Sequence, residues 1–198
     1  MESILIAGVP RSGKSTIARR VAEAGGAAYF PVDALVSTLG SLYPELGITH
    51  YTEEPRGVST HLAPVVVELE QHLQYEGMTV VLDAYQCFPR DLVAALSHRH
   101  LALPTGEGAG EAPFAVVYVG YPEADVRAKT EDIRAHGRAE DWAQALDDDA
   151  LAQLVERYVR ESGEIRTQCA ELGWHFIDTS NDFEAVVSKA VETLSSMQ

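Results

Sequence analysis

The octapeptide Gly8-Val9-Pro10-Arg11-Ser12-Gly13-Lys14-Ser15 constrains this chain more than any other stretch. It has the form G-x-x-x-x-G-K-[ST], follows the apolar run Ser3-Ile4-Leu5-Ile6-Ala7, and opens a helical pattern from Lys14 to Val21. A strand, a glycine turn and a helix N-terminus in that order make a cradle for phosphate. The glycines let successive backbone N–H groups turn toward an anion, and the helix dipole adds to the attraction. Gly8, Pro10, Arg11, Ser12, Gly13, Lys14, Ser15 and Thr16 are therefore candidate phosphate contacts. In such a turn the lysine reaches the β- and γ-phosphates, and the Ser15 hydroxyl joins a magnesium shell.

The rest of the chain alternates strand and helix patterns. Further strand candidates are Ala27–Val32, Thr79–Leu82, Phe114–Val119 and Trp174–Ile177. Apolar stripes at helical spacing run through Val58, Leu62, Val65, Val66, Leu69 and Leu73, through Leu151, Leu154, Val155, Tyr158 and Val159, and through Phe183 to Leu194. Each stripe reads as core packing. Continuous apolar strands between helices predict an α/β fold with a parallel sheet covered on both faces. Pro104 to Pro113, rich in Gly, Pro and Glu, reads as a connection between the helix after strand three and strand four.

Length and charge bound the rest. A chain of 198 residues is one domain, 1–198. Its 15 Lys+Arg against 30 Asp+Glu give a formal net charge of -15, which argues against a nucleic-acid partner and against anionic membrane surfaces. No apolar run reaches the length of a membrane span, and Met1-Glu2-Ser3-Ile4-Leu5 lacks the basic region of a secretory signal. Cys87 and Cys169 are too few for a disulfide framework and lack zinc spacing; free thiols in a reducing cytoplasm are expected. Monomer and homodimer both stay open.

Two acidic residues fall at strand ends, where ligands of open parallel sheets bind. Asp83 closes Val80-Val81-Leu82-Asp83 and is a candidate for magnesium or its waters. Asp33 closes Tyr29-Phe30-Pro31-Val32-Asp33 and is a candidate to accept a hydrogen bond or proton from an acceptor hydroxyl. A helix N-cap is the alternative role for each.

With these residues in place the chain resembles the small P-loop kinases of the nucleoside monophosphate kinase-like group, which includes adenylate, shikimate and gluconate kinases and small antibiotic phosphotransferases. The likeness spans nearly the whole chain. It implies a three-layer P-loop fold whose five-stranded parallel sheet has the order 2-3-1-4-5. It implies a helical substrate-binding insert at about 34–76 and a short lid at about 127–145. It also implies that the loop after strand five, Asp178-Thr179-Ser180, lies near the adenine through its backbone.

The residue types in those segments fit. Phosphoryl transfer needs cations over the transferring group, and Arg127, Lys129, Arg134 and Arg138 crowd the lid segment, with Arg134 and Arg138 favoured as the catalytic pair. Adenylate kinases place an arginine on substrate phosphate after strand three; the stretch Asp83-Ala84-Tyr85-Gln86-Cys87-Phe88-Pro89-Arg90 offers Tyr85 and Arg90 as substrate contacts, although Pro89 is also a natural first helical residue. The acceptor pocket is expected in 34–61, among Tyr43, His50, Tyr51, Arg56 and His61. Arg56 is the only basic residue between Arg20 and Arg90, so an anionic acceptor would use it; an Arg56 turned to solvent favours a neutral hydroxyl.

The expected activity is transfer of the γ-phosphate of Mg-ATP to a hydroxyl of a small molecule such as a nucleoside, sugar, hydroxy acid or antibiotic. Lys14, Asp33, Arg134 and Arg138 would be catalytic and Ser15 and Asp83 would hold the metal. A nucleoside monophosphate acceptor is the alternative. A GTPase or ATPase switch, whose guanine motif Thr179-Ser180-Asn181-Asp182 does not supply, and a nucleotide-binding regulator are more distant ones.

Overall fold

The computed structural model describes residues 2–50, 55–99, 114–137 and 141–196. The predicted elements are all present. β1 (Ile4–Gly8) leads into α1 (Lys14–Gly25), and β2 (Ala28–Pro31) into α2 (Val32–Leu42). A short 3-10 turn at Pro44–Leu46 and the long α3 (Pro55–Tyr75) come next, then β3 (Val80–Ala84) and α4 (Pro89–His98). β4 (Ala115–Gly120), α5 (Val126–His136), a 3-10 turn at Trp142–Ala145, α6 (Asp148–Leu172), β5 (His175–Asp178) and α7 (Phe183–Ser196) complete the chain.

All neighbouring strands pair in parallel, and the sheet order is β2-β3-β1-β4-β5. This is the order the resemblance implied. Strand periodicity divides the core in two. Ile4 and Ile6 of β1 face α1 and α7, where they pack with Ile17, Val21, Val187 and Leu194. Leu5 and Ala7 point to the other face, beneath α3, α4 and α6, with Leu62, Val66, Leu92 and Val155. Helices on both faces make the fold three-layered. Among the described residues no helix is long and apolar enough to cross a membrane, and both cysteines are free and buried.

Two boundaries depart from the sequence reading. β2 stops at Pro31 and α2 begins at Val32, because the proline ring removes an N–H donor from the ladder and cannot extend it. Asp33 therefore sits in the first turn of α2 rather than at a strand end. Asp83 lies inside β3, one residue before its end. The connection 104–113 lies outside the described residues.

Candidate active site

The phosphate turn is built by close packing as much as by its own sequence. Gly8 has φ 141°, and a Cβ there would lie 1.9 Å from the Val119 carbonyl oxygen of β4. Only glycine lets β1 leave the sheet at this point. Gly13 has φ 88°, and its missing Cβ makes room for the Phe183 ring, 2.7 Å from where that atom would stand. The wholly buried Ser12 donates its hydroxyl to the Val9 carbonyl at 2.9 Å. Tyr121 donates to the Pro10 carbonyl at 3.0 Å. Thr179 Oγ1 lies 3.0 Å from the Ser12 carbonyl and 3.1 Å from that of Gly120, which ties the turn to the loop after β5. Three carbonyls of the turn are thus satisfied by hydroxyls, and no side chain caps α1. The N–H groups at the start of α1 are left for an anion.

Lys14 is buried, and its Nζ lies 3.7 Å from Asp83 Oδ1. The other carboxylate oxygen accepts from the Tyr29 hydroxyl at 2.8 Å. Burial raises the Tyr29 pKa, and the bond and charge of Asp83 raise it further, while Arg19 opposes them in part. Oδ1 itself accepts no hydrogen bond among the described residues, although it is buried. A buried carboxylate oxygen with a free lone pair, beside Lys14 of the phosphate turn, suits a hydrated magnesium ion, which keeps waters and takes few protein ligands.

Beyond Lys14 opens a cavity of about 530 Å³ lined in part by Pro10, Lys14, Asp33, His50 and Tyr85. Asp33 is exposed. It is not a helix cap, since α2 is preceded by Pro31 and carries no side-chain cap bond. His50 Nε2 lies 2.9 Å from the Asp33 backbone oxygen and 3.0 Å from Ser37 Oγ. A carbonyl only accepts, so this nitrogen carries the proton. The contact fixes the first turn of α2 that presents Asp33. Across the cavity Tyr85 donates to Glu161 Oε2 at 3.2 Å. Arg157 Nε stands 3.5 Å from Glu161 Oε1. Burial raises the pKa of Glu161, with Arg157 and the Tyr85 bond opposing it.

The lid cations among the described residues, Arg127, Lys129 and Arg134, are engaged elsewhere. Arg134 spans the 3-10 turn: it donates to the carbonyls of Ala143 and Leu146, both at 2.7 Å, and pairs with Asp148 at 3.0 Å. Arg127 pairs with Glu131 on the surface of α5. Lys129 lies over the rings of Tyr121 and Phe183 and pairs with Asp132. Arg138 and Tyr51 fall outside the described residues. Arg11, inside the phosphate turn, pairs with Asp141 and lies 5.5 Å from the Trp142 ring, which joins the turn to the lid segment. Burial pushes the Asp141 carboxyl up, but Arg11 and the Ala143 N–H more than offset it, and it stays below its ordinary value.

Arg56 and Arg90 do not reach the cavity wall. Arg56, its side chain 63% exposed, pairs with Glu164. Arg90, 71% exposed, pairs with Glu171 at 3.0 Å. Pro89 is the first residue of α4, and that role accounts for the Phe88-Pro89-Arg90 motif. Tyr43 and His61 are likewise absent from the lining, so among the described residues of the segment 34–61 His50 alone joins Asp33 there. The other wall comes from Trp142, Leu146, Leu154, Arg157 and Tyr158. Sequence reasoning missed this wall because Leu154 and Tyr158 belong to an apolar stripe that reads as core. The available signal was Arg157, a cation set beside Tyr158 in that stripe.

Solved structures that superpose on this chain include kinases. A shikimate kinase from Bacteroides thetaiotaomicron superposes with a TM-score of 0.60 at 14% identity, covering 99% of this chain and 97% of its own. A gluconokinase from Sinorhizobium meliloti 1021 gives 0.56 at 18% identity, over 99% and 93%. The shikimate kinase from Acinetobacter baumannii in complex with shikimate gives 0.55 at 15%, over 100% and 93%. The chain thus has the fold of the small P-loop kinases. No protein-family model matches it, and no curated protein matches it.

Proposed function

We propose that this protein is an ATP-dependent phosphotransferase that moves the γ-phosphate of Mg-ATP to a hydroxyl of a small molecule. One observation carries the reading: a single cavity joins Lys14 of the phosphate turn to the carboxylate-bearing first turn of α2 at Asp33. Donor and acceptor groups meet only where such a cavity connects them.

The turn from Gly8 to Thr16 cradles the donor phosphates through its N–H groups. Lys14 neutralises charge that spreads onto the transferring group. Ser15 and Asp83 would hold magnesium, which would screen the phosphate oxygens from one another. Asp33 orients the acceptor hydroxyl and takes its proton as the oxygen forms a bond to the γ-phosphorus. The bond from that phosphorus to the bridging oxygen breaks, ADP leaves, and the proton passes from Asp33 to solvent. A hydroxyl needs that base, whereas a phosphate acceptor is already ionised and would be repelled by it. The pairing of Arg56 with Glu164 and of Arg90 with Glu171 supports the same choice, because neither cation is left for an acceptor phosphate.

The test is γ-labelled ATP with magnesium against a panel of nucleosides, nucleotides, sugars, hydroxy acids and antibiotic alcohols. Label is expected on an alcohol and not on a nucleoside monophosphate, and Lys14→Ala is expected to abolish the transfer. Tight ATP binding with no label on any acceptor would sink the reading and favour a regulator.

A further inference from the structure

The cavity that receives the acceptor is walled mainly by carbon. Among the described residues that line it, Pro10, Tyr85, Trp142, Leu146, Leu154 and Tyr158 present apolar or aromatic surface. Tyr85 and Tyr158 meet edge to face, with ring centroids 6.0 Å apart and planes at 86°. The polar groups are few and mostly committed. Tyr85 gives its hydroxyl to Glu161. His50 gives its Nε2 proton to the Asp33 carbonyl and Ser37. Lys14 and Asp33 serve the transfer. A polyol brings a hydroxyl on nearly every carbon, and each must trade its water for a partner on entry. Among its described residues this wall offers few such partners.

Arg157, whose side chain also bonds Tyr158, keeps one donor unpaired among the described residues. Its Nε is buried without a hydrogen-bond partner among the described residues, and Glu161 stands at 3.5 Å, too far for a strong bond. The guanidinium lies 5.3 Å from the centre of the Tyr158 ring, which holds the planar fork beside the aromatic wall. Such a fork fits a carboxylate or carbonyl oxygen.

We propose that the acceptor is an alcohol carried on a flat apolar or aromatic body, seated against Tyr85, Trp142 and Tyr158, with an oxygen substituent held by Arg157. This deepens the phosphotransferase reading and rests on it for the word acceptor, but the pocket's preference can be measured without turnover.

The experiment compares four alcohols: 3-phenyllactate, 3-phenylpropane-1,2-diol, glycerate and glycerol. They cross the presence of a ring with the presence of a carboxylate. Binding is read by calorimetry with magnesium and a non-hydrolysable ATP analogue, and label transfer from ATP is read separately. Phenyllactate is expected to bind about tenfold tighter than glycerate, from the ring, and severalfold tighter than the phenyl diol, from the carboxylate. Arg157→Met is expected to erase the second difference and keep the first, and Arg157→Lys to restore part of it. Analogue affinity within about twofold of the parent chain shows that a variant is folded; if Arg157→Met fails that check, the Lys variant and the parent panel decide. Equal or tighter binding of glycerate, no binding of any of the four, or an unchanged carboxylate preference in a folded Arg157→Met overturns the proposal. Ring preference without label on any alcohol would retain the pocket and overturn the kinase reading. Label on glycerol or glycerate ahead of the phenyl compounds would do the reverse.

Discussion

Asp33 and Glu70 are both carboxylates on helices, and their surroundings set them opposite tasks. Asp33 is exposed at the cavity, in the first turn of α2, and caps nothing. Its replacement therefore removes chemistry and leaves structure. Asp33→Asn is expected to lower transfer by about 10²–10⁴, the range of a lost general base, with ATP affinity nearly unchanged. Titration calorimetry beside the label assay checks this, and a collapse of ATP affinity would refute the acceptor role. Glu70 is fully buried in the packed face of α3, and neither of its oxygens makes a hydrogen bond among the described residues. Burial raises its pKa from 4.5 to about 7; Glu2 adds to the rise and the Ser3 hydroxyl opposes it in part. At pH values below the unfolded pKa the group is protonated in both states and carries no ionisation cost. Between the two pKa values the folded chain keeps a proton that the unfolded chain releases, so stability falls as pH rises. Above the folded pKa the loss is complete and levels off. Glu70→Gln removes the titration. Its Tm is expected to exceed the parent's by about 5 °C at pH 8, for a difference of about 2 kcal/mol, and to match it near pH 4.5. Thermal melts across that range decide it.

At the scale of elements, Arg134 shows why a charge alone does not declare its role. The cluster of cations in α5 reads in sequence as a clamp on phosphate. In the fold, Arg134 is positioned where α5 ends and the 3-10 turn begins, and that turn leaves carbonyls at Ala143 and Leu146 unpaired by its own backbone. The guanidinium satisfies both and Asp148 completes the fork. Arg134→Gln is expected to lower Tm by several degrees and to speed hydrogen exchange at 142–148, because carbonyls and a carboxylate lose their partner. A fall in kcat with Tm and exchange unchanged would instead identify a clamp. The same contrast explains what sequence could reveal. β1, β3 and β4 are legible because both faces of each are covered, so their residues are apolar without interruption. The phosphate turn is legible because its glycines answer local needs at Gly8 and Gly13. The cavity wall on α6 is not, because Leu154 and Tyr158 face an opening with the same residue types that neighbours such as Val155 send into the core. Helical spacing marks an apolar face and does not say whether protein or ligand covers it. The boundary at Pro31 shows a smaller limit: Val32 belongs by type to a strand, and the ring one position earlier had already ended the ladder.

The whole molecule sets a strong field against its own proposed substrate. Parallel crossovers bring the β1 and β3 ends together at the centre of the sheet, where the order β2-β3-β1-β4-β5 reverses direction. On the proposed reading, phosphate binding would be decided at contact range, by backbone N–H groups and Lys14. Lys14 is shielded from bulk salt by burial. The formal charge of -15 acts at longer range and repels Mg-ATP as it approaches. The two effects separate in kinetics. Raising ionic strength from about 0.01 to 0.15 M shortens the screening length from about 30 to 8 Å, which weakens the distant repulsion and leaves the contact terms almost intact. The association rate of a fluorescent ATP analogue is therefore expected to rise severalfold over that range, while its dissociation rate changes little. Stopped-flow mixing at fixed free magnesium measures both. An association rate that falls with salt would mean that a local basic mouth outweighs the net charge, and Arg11 beside Trp142 would be the first residue to neutralise.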